Sequence, residues 1–231
     1  MSSILITGSN RGMGLQWARQ YAEAGWRVFA TCRHPREASE LKKVAKEYAG
    51  VSLHPLDVTD AVQIEALATE LAETPIDILL NNAGVYYEKH MSVDCPLDYD
   101  DWIHTFQVNT MGPVRVTMAF ANHVAASLKR LVVAISSHMG SIAEIDGSGS
   151  YFYRSSKAAL NAVMKGLSFE LARRGIGVLL LHPGWVRTRM GGPDAPLLPE
   201  ESVRGLRLLI DNFSLPDSGR FFRFDGSEIP W

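Results

Sequence analysis

Short apolar runs recur along the chain, and segments of helix length separate them. Several runs are continuous rather than alternating, which is typical of strands buried on both faces. The pattern predicts strands at SILIT (3–7), WRVFAT (26–31), VSLHPL (51–56), IDILLN (76–81), RLVVAIS (130–136), IGVLLLH (176–182) and RFFRF (220–224). Strand–helix alternation over the whole chain predicts an α/β fold, in which helices cover both faces of a parallel sheet.

The segments between the strands have helical spacing. We predict helices over 12–24, 60–72, 98–128, 151–173 and near 199–212. The 98–128 segment contains Gly112 and Pro113, so we expect two consecutive helices that are broken there. Residues 183–218 contain many prolines and form a long connection at the carboxyl end of a strand, where doubly wound sheets bind ligands. This connection is therefore a candidate substrate loop or lid.

Composition and charge narrow the class of protein. The chain has 231 residues, 46% of them hydrophobic and 21% charged, with a net charge of -2, so no basic field favours nucleic acid. Cys32 and Cys95 match no metal or redox spacing, the histidines are isolated, and no apolar stretch is long enough to span a membrane. We expect a cytoplasmic protein that binds no metal and no membrane.

A glycine-rich turn follows the first predicted strand. It reads TGSNRGMG (7–14), with Gly8, Gly12 and Gly14 in the spacing G-x-x-x-G-x-G. A turn without Cβ atoms lets backbone N–H groups and a helix N-terminus face a pyrophosphate. An ordinary tight strand-to-helix turn is the alternative, but the position after the first strand of an α/β pattern favours a nucleotide site.

The charges near this turn favour a particular dinucleotide. NAD sites usually carry an acidic residue at the end of the second strand, whereas here that strand ends ATCRH (30–34). Arg33 there and Arg11 in the turn are cations that suit a 2′-phosphate, because a guanidinium can bind phosphate with two hydrogen bonds. We predict NADP(H) rather than NAD(H); solvated surface arginines are the alternative.

One tyrosine in the chain has a lysine four residues later, in YRSSK (153–157). In a helix Tyr153 and Lys157 would lie on one face about one turn apart. An ammonium there favours the phenolate and lowers the tyrosine pKa, so that the phenol could exchange a proton with a carbonyl or alcohol. The alternative is that Tyr153 packs on the sheet while Lys157 reaches solvent.

These segments together resemble the short-chain dehydrogenase/reductase family, in its compact single-domain type, over nearly the whole chain. The motifs that carry the resemblance are TGSNRGMG, LDVTD (56–60), NNAG (81–84), VNTMGP (108–113), ISS (135–137), YRSSK and HPGWVRT (182–188). FFRFDGSEIPW and SSHMGSI are similar to the C-factor and sniffer-type carbonyl reductase branch. The resemblance implies one Rossmann-type, doubly wound domain over 1–231, with about seven parallel strands.

The resemblance also implies roles for individual residues. The catalytic set would be Asn109, Ser137, Tyr153 and Lys157. Cofactor contacts would come from Gly8, Ser9, Asn10, Arg11, Gly12, Met13, Gly14, Arg33, Asp57, Val58, Asn82, Ala83, Gly84, Tyr153, Lys157, Pro183, Gly184, Val186 and Thr188. The interval from Ser137 to Tyr153 is longer than the family leads us to expect, so Ser136 stays an alternative for the catalytic serine.

The implied activity is NADPH-dependent reduction of a carbonyl compound to an alcohol. Tyr153 would donate the proton, Ser137 would hydrogen-bond the carbonyl oxygen, and Lys157 would hold the ribose and pass protons through water at Asn109. Tyr86, Met139, Trp185 and Met190 would form an apolar substrate pocket. The competing hypothesis is a nucleotide-binding signalling or redox-sensing module of the C-factor type. The resemblance further implies a homodimer or homotetramer, formed through helices 113–128 and 151–173.

Overall fold

The computed structural model describes residues 1–88 and 96–231. Seven parallel strands form one sheet in the order β3-β2-β1-β4-β5-β6-β7. The strands are β1 Ser3–Ile6, β2 Arg27–Cys32, β3 Val51–Pro55, β4 Ile78–Asn81, β5 Leu131–Ile135, β6 Gly177–His182 and β7 Phe221–Arg223. The chain starts in the middle of the sheet and reverses its direction of progress between β1 and β4, and this reversal opens a crevice at the carboxyl edge. The predicted Rossmann-type fold is confirmed.

In the described residues, seven α-helices cover the two faces of the sheet. They are α1 Gly12–Glu23, α2 Ser39–Glu47, α3 Ala61–Glu70, α4 Tyr99–Phe106, α5 Gly112–Ala125, α6 Tyr151–Ala172 and α7 Pro199–Asp211. The sequence patterns above did not predict α2, because that short, highly charged helix buries little more than Leu41 and Val44. The helix expected near 199–212 is confirmed as α7.

The expected break at Gly112 and Pro113 is wrong. A π-helical segment, Gln107–Met111, connects α4 to α5, and Gly112 keeps helical angles of φ -56° and ψ -55°. Pro113 lies directly after the π-helical segment, where the N–H of Gly112 donates to the carbonyl of Gln107 five residues back, and the helical path continues through it. Gly112 instead allows close packing, since a Cβ atom there would lie 2.9 Å from Cγ2 of Val58.

Alternate residues of the strands divide the interior into two cores. Ile4 and Ile6 point toward α1, α2 and α7, where Trp17, Leu41 and Leu206 are buried. Leu5 points toward α3, α5 and α6, where residues such as Ile64, Phe120 and Leu160 are buried. The helix α7 therefore packs into a core, although it falls within the 183–218 segment considered as a lid; a lid function for that segment stays a prediction.

Two further expectations concern the whole chain. Among the described residues, no helix has the length and apolar character needed to cross a membrane. The Cys32 thiol is free and buried, whereas Cys95 lies outside the described residues.

We predict that removing the cap of α3 lowers stability modestly. Oδ1 of Asp60 accepts hydrogen bonds from the N–H groups of Val62 (2.9 Å) and Gln63 (3.1 Å). Asp60→Ala leaves both donors without this acceptor and should lower the free energy of unfolding by about 1 kcal/mol in urea denaturation. Asp60→Asn keeps an acceptor oxygen and is the control. Equal losses in the two variants would contradict this account of the cap.

Candidate active site

A cleft of about 1000 Å³ runs along the carboxyl edge of the sheet. Its walls come from the segments that follow β1 to β6, which the crossovers bring to the same edge. The predicted residues that line it are Gly8, Asn10, Arg11, Gly12, Met13, Gly14, Arg33, Asp57, Val58, Asn82, Ala83, Gly84, Tyr86, Ser137, Met139, Tyr153, Lys157, Pro183, Gly184, Trp185, Val186, Thr188 and Met190. Two predicted residues, Ser9 and Asn109, are buried behind this surface.

The glycine turn after β1 requires residues without side chains. Gly8 and Gly12 have φ values of +71° and +53°, in the left-handed region that favours glycine. A Cβ atom on Gly14 would lie 2.0 Å from the carbonyl oxygen of Gly8. Helix α1 begins at this turn without a side-chain cap from Arg11, so its first N–H groups are available to a ligand. The turn thus has the shape and donors that a pyrophosphate needs.

Ser9 supports this turn from beneath. Its N–H donates to the carbonyl of Thr31 at 2.8 Å, and its hydroxyl donates to the carbonyl of Ile6 at 3.0 Å. Its side chain therefore joins the turn to β1. A cofactor contact by Ser9 stays a prediction.

The motif after β4 is bonded to the same turn. Nδ2 of Asn82 donates to the carbonyl oxygens of Thr7 (2.9 Å) and Gly8 (3.2 Å). The hydroxyl of Thr7 in turn accepts from the N–H groups of Asn82 and Ala83. These bonds hold the ends of β1 and β4 together at the crevice.

Two arginines and two acidic residues line the part of the cleft formed by the segments after β1, β2 and β3, called here the outer end. In the described ranges, the side chains of Arg11 and Arg33 have no hydrogen-bond or ion-pair partner, so both guanidinium groups are available to an anion. Burial acts against the charge of Asp57, but hydrogen bonds from Thr59 and the charge of Arg33 hold the pKa of Asp57 below its ordinary value. Glu37 also lines this end. Sequence reasoning missed it because it lies beyond the strand end, in a short 3₁₀ helix.

The catalytic candidates meet where β5 ends and α6 begins. The side chain of Ser137 lies beside the phenol of Tyr153 and acts to lower its pKa. Lys157 lies 5.7 Å from the centre of the Tyr153 ring and donates from Nζ to the carbonyl oxygen of Ile135 at 2.9 Å. The hydroxyl of the alternative, Ser136, points away and donates to Oδ1 of Asn161 at 2.6 Å.

Burial dominates the proton affinities of the pair. Burial raises the pKa of Tyr153 to about 12, opposed by the hydrogen bond from Ser137. Burial also lowers the pKa of Lys157 to about 8. The expectation that the ammonium lowers the tyrosine pKa is therefore wrong for the chain by itself, because desolvation favours the neutral forms of both groups. The phenol holds its proton throughout the physiological pH range.

Asn109 lies in the π-helical segment and is buried behind the reacting groups. Its Oδ1 accepts from the N–H of Val85 at 2.8 Å. Its Nδ2 donates to the carbonyl oxygen of Val85 (2.9 Å) and to the hydroxyl of Ser156 (3.1 Å). The side chain therefore ties the segment after β4 to α6. A water held near Lys157 by Asn109 stays a prediction.

The part of the cleft that contains the predicted substrate residues is less apolar than the sequence predicts. Met139, Trp185 and Met190 line it, but so do His138 and His182, whose rings meet edge to face at 4.8 Å. Burial lowers the pKa of His182 to about 3 and lowers that of His138 as well, so both imidazoles are neutral. Sequence reasoning did not place them here, because the contact joins the ends of two strands that are distant in sequence.

Comparison with known proteins agrees with this geometry. The family profile described as short chain dehydrogenase matches residues 2–196. C-signal from Myxococcus xanthus is 44% identical over 171 residues, which are 73% of this chain and 100% of that protein.

Two solved structures superpose over the entire chain. The NADPH-bound carbonyl reductase from chicken fatty liver is 32% identical, with a TM-score of 0.91 and coverage of 100% of this chain and 99% of that chain. The carbonyl reductase Sniffer of D. melanogaster is 31% identical, with a TM-score of 0.92 and coverage of 100% of both chains. The glycine turn, the cleft shared by Ser137, Tyr153 and Lys157, and the profile match agree: the chain belongs to the short-chain dehydrogenase family and is an oxidoreductase of the NAD(P)-dependent type.

Proposed function

We propose that the protein reduces the carbonyl group of an aldehyde or ketone to an alcohol with NADPH. The observation that carries this proposal is the buried phenol of Tyr153, which lines the same cleft as Ser137, Lys157 and the glycine turn. A phenol that stays protonated at neutral pH is suited to give a proton to an oxygen on which negative charge develops.

Each side chain would contribute one part of the reaction. NADPH, when bound, supplies the hydride. Tyr153 gives its proton to the carbonyl oxygen, and Ser137 stabilises the developing charge by hydrogen bonding the same oxygen. Lys157 lies one helical turn from Tyr153 and holds the ribose hydroxyls with its ammonium group. Asn109 keeps the segment after β4 in register with α6.

The cofactor assignment rests on charge as well as on shape. The chicken carbonyl reductase is an NADPH-bound protein, which supports NADP(H) here. Arg11 and Arg33 supply two cations at the outer end of the cleft, which also carries the carboxylates of Asp57 and Glu37. A 2′-phosphate would bind the guanidinium groups, each of which can form two charge-assisted hydrogen bonds with it.

The pocket favours a substrate with an apolar part. Met139, Trp185 and Met190 offer apolar surface, and Nε1 of Trp185 is already engaged with the carbonyl oxygen of Gly191 at 2.8 Å. The neutral rings of His138 and His182 stand at the same end of the cleft and would tolerate a polar group beside the carbonyl. We therefore assign an aldehyde or ketone with an apolar substituent.

A second candidate function is a signalling or redox-sensing module that binds the nucleotide with little turnover. The similarity to C-signal favours it. Consumption of NADPH in the presence of a panel of aldehydes, ketones and diones separates the two functions, because a module without turnover leaves the absorbance of NADPH unchanged.

We further propose a cytoplasmic homodimer or homotetramer that is built through α5 and α6. Met118 and Phe169 on these helices expose 52% and 71% of their surface, which a partner subunit would cover.

We predict that Tyr153→Phe lowers kcat for carbonyl reduction about 10³-fold or more, because it removes the proton donor while it keeps the packing. The Kd for NADPH should stay within about 2-fold. Tyr151→Phe, at the exposed start of the same helix, is the matched control and should keep its activity. Turnover of Tyr153→Phe near that of the control would remove Tyr153 from this role.

We predict that Arg11 and Arg33 select NADPH over NADH. Replacing both by Gln should raise the Kd for NADPH by about 100-fold and change that for NADH by less than about 3-fold, since charge-assisted hydrogen bonds to the 2′-phosphate are lost. Arg36→Gln, exposed and outside the cleft, controls for loss of net charge. Equal losses for the two cofactors would reject the assignment.

We predict that kcat/KM for NADPH falls as the pH rises through about 8. This parameter reports the free enzyme, in which burial lowers the pKa of Lys157 to about 8, so the ammonium is lost above that pH, while Tyr153, with a pKa of about 12, stays protonated. In Lys157→Met the fall should disappear from a lower starting value. A wild-type profile that is flat to pH 10 would contradict this attribution.

A further inference from the structure

The segment 85–88, which follows β4, lies against the first turn of α6. Oε1 of Glu88 accepts a hydrogen bond from the N–H of Tyr153 at 2.7 Å. The ring of Tyr86 stacks on the ring of Tyr153, with centroids 4.5 Å apart and planes 25° apart. The hydroxyl of Tyr86 is hydrogen-bonded to the hydroxyl of Ser150 at 2.5 Å. The segment thus contacts both the backbone and the ring of Tyr153.

Helix α6 lacks a cap of its own. Ser150, at its N-cap position, has the left-handed angles φ 56° and ψ 36°, and its side chain makes no capping bond. In α3 and α4, by contrast, an aspartate at the N-cap accepts from the first-turn N–H groups. The first turn of α6, which carries Tyr153, therefore takes its acceptor from another part of the chain.

Glu88 is an acidic residue that is buried in the structure. It is only 4% exposed, and within residues 1–88 and 96–231 its Oε2 has no hydrogen-bond partner. A buried carboxylate with an unpaired oxygen is costly, although the N-terminus of α6 supplies favourable partial positive charge. The cost indicates that the carboxylate does more than complete the packing.

The other end of the segment is also anchored. Asn109 binds both the N–H and the carbonyl oxygen of Val85, and it reaches Ser156 on α6. The bond from Glu88, the stacking of Tyr86 and its bond to Ser150 hold one end of the segment against α6. The bonds of Asn109 hold the other end. The geometry of the phenol toward Ser137 consequently depends on the segment as well as on α6.

We propose that Glu88 and Tyr86 are positioning residues that hold the first turn of α6 and set the direction of the Tyr153 phenol for proton transfer. This inference rests on the proposed carbonyl reduction. It also changes the predicted role of Tyr86, which lines the cleft but acts through Tyr153 rather than by binding substrate.

The charge of Glu88 has a second consequence for Tyr153. In the part of the chain that the structure describes, the titratable groups that face the phenol are Tyr86, Glu88 and Lys157, and the hydroxyl of Ser137 lies beside it. Glu88 and Tyr86 both act to raise the pKa of Tyr153, in the same direction as burial. The segment therefore favours the protonated phenol, which is the form that reduction requires.

The test compares Glu88→Ala, Glu88→Gln and Asp60→Ala. Glu88→Ala should lower kcat about 10-fold to 100-fold, because a small displacement of a reacting group is costly, with the Kd for NADPH within about 2-fold. Glu88→Gln keeps an acceptor oxygen and should stay within about 3-fold of wild-type kcat. Asp60→Ala removes a comparable cap from α3 and should leave kcat at saturating NADPH unchanged. A kcat for Glu88→Ala within 2-fold of that of Asp60→Ala would overturn the proposal.

Two readouts go beyond stability. Hydrogen exchange of the Tyr153 amide should be about 10-fold faster in Glu88→Ala than in the wild type. In alcohol oxidation with NADP⁺, the rising limb of the pH profile should move to lower pH in Glu88→Gln, because a negative charge beside the phenol is gone. An unmoved limb would reject the electrostatic part. Unchanged exchange of the Tyr153 amide in Glu88→Ala would reject the positioning role of Glu88, whatever the turnover of that variant. If the wild-type protein shows no turnover, the proposed function is rejected instead.

The role of Tyr86 is tested separately. Tyr86→Leu removes both the stacking and the hydroxyl bond to Ser150. It should lower kcat about 10-fold while KM for the carbonyl substrate changes less than 2-fold, since only the proton donor is displaced. A rise in KM with an unchanged kcat would return Tyr86 to substrate binding and overturn its positioning role.

Discussion

The attachment of helix α6 to the carboxyl edge of the sheet is the constraint on which the site depends. One helix carries both Tyr153 and Lys157, so any tilt of its first turns moves the phenol and the ammonium together. Bonds to two other elements hold it: Lys157 donates to the carbonyl of Ile135 at the end of β5, and the hydroxyl of Thr110 donates to the carbonyl of Ser156 at 2.8 Å. The π-helical segment places the side chains of Asn109 and Thr110 beside α6, where both donate to Ser156; π-bulges are frequent at functional sites.

Burial and proton affinity follow from the same attachment. Because α6 is pressed against the strand ends, Tyr153 and Lys157 lose their contact with water, and their pKa values move in opposite directions toward the neutral forms. The hydrogen bond from Ser137 opposes this for the phenol. The phenol of Tyr153 therefore keeps its proton at neutral pH, whereas the sequence alone predicted a phenol with a lowered pKa.

Much of the fold could be read from the periodicity of the chain. Continuous apolar runs predicted the seven strands, because strands buried on both faces need apolar side chains on each. Two element boundaries were predicted wrongly. Pro113 does not break the helical path, because it follows directly on the π-helical segment. The sequence did not predict α2, because that helix buries only two apolar side chains.

The sequence by itself determined the family, the glycine turn and the positions of Ser137, Tyr153 and Lys157, because these depend on residue type and spacing along a regular strand or helix. Only the tertiary structure decided what surrounds them. Ser9 and Asn109 turn inward, Glu88 reaches the amide of Tyr153, and His138 meets His182, through contacts between residues far apart in the chain. A local sequence pattern does not predict the distance between residues that are far apart in the chain, or how far each side chain is removed from water. These two quantities set the pKa values of Tyr153 and Lys157.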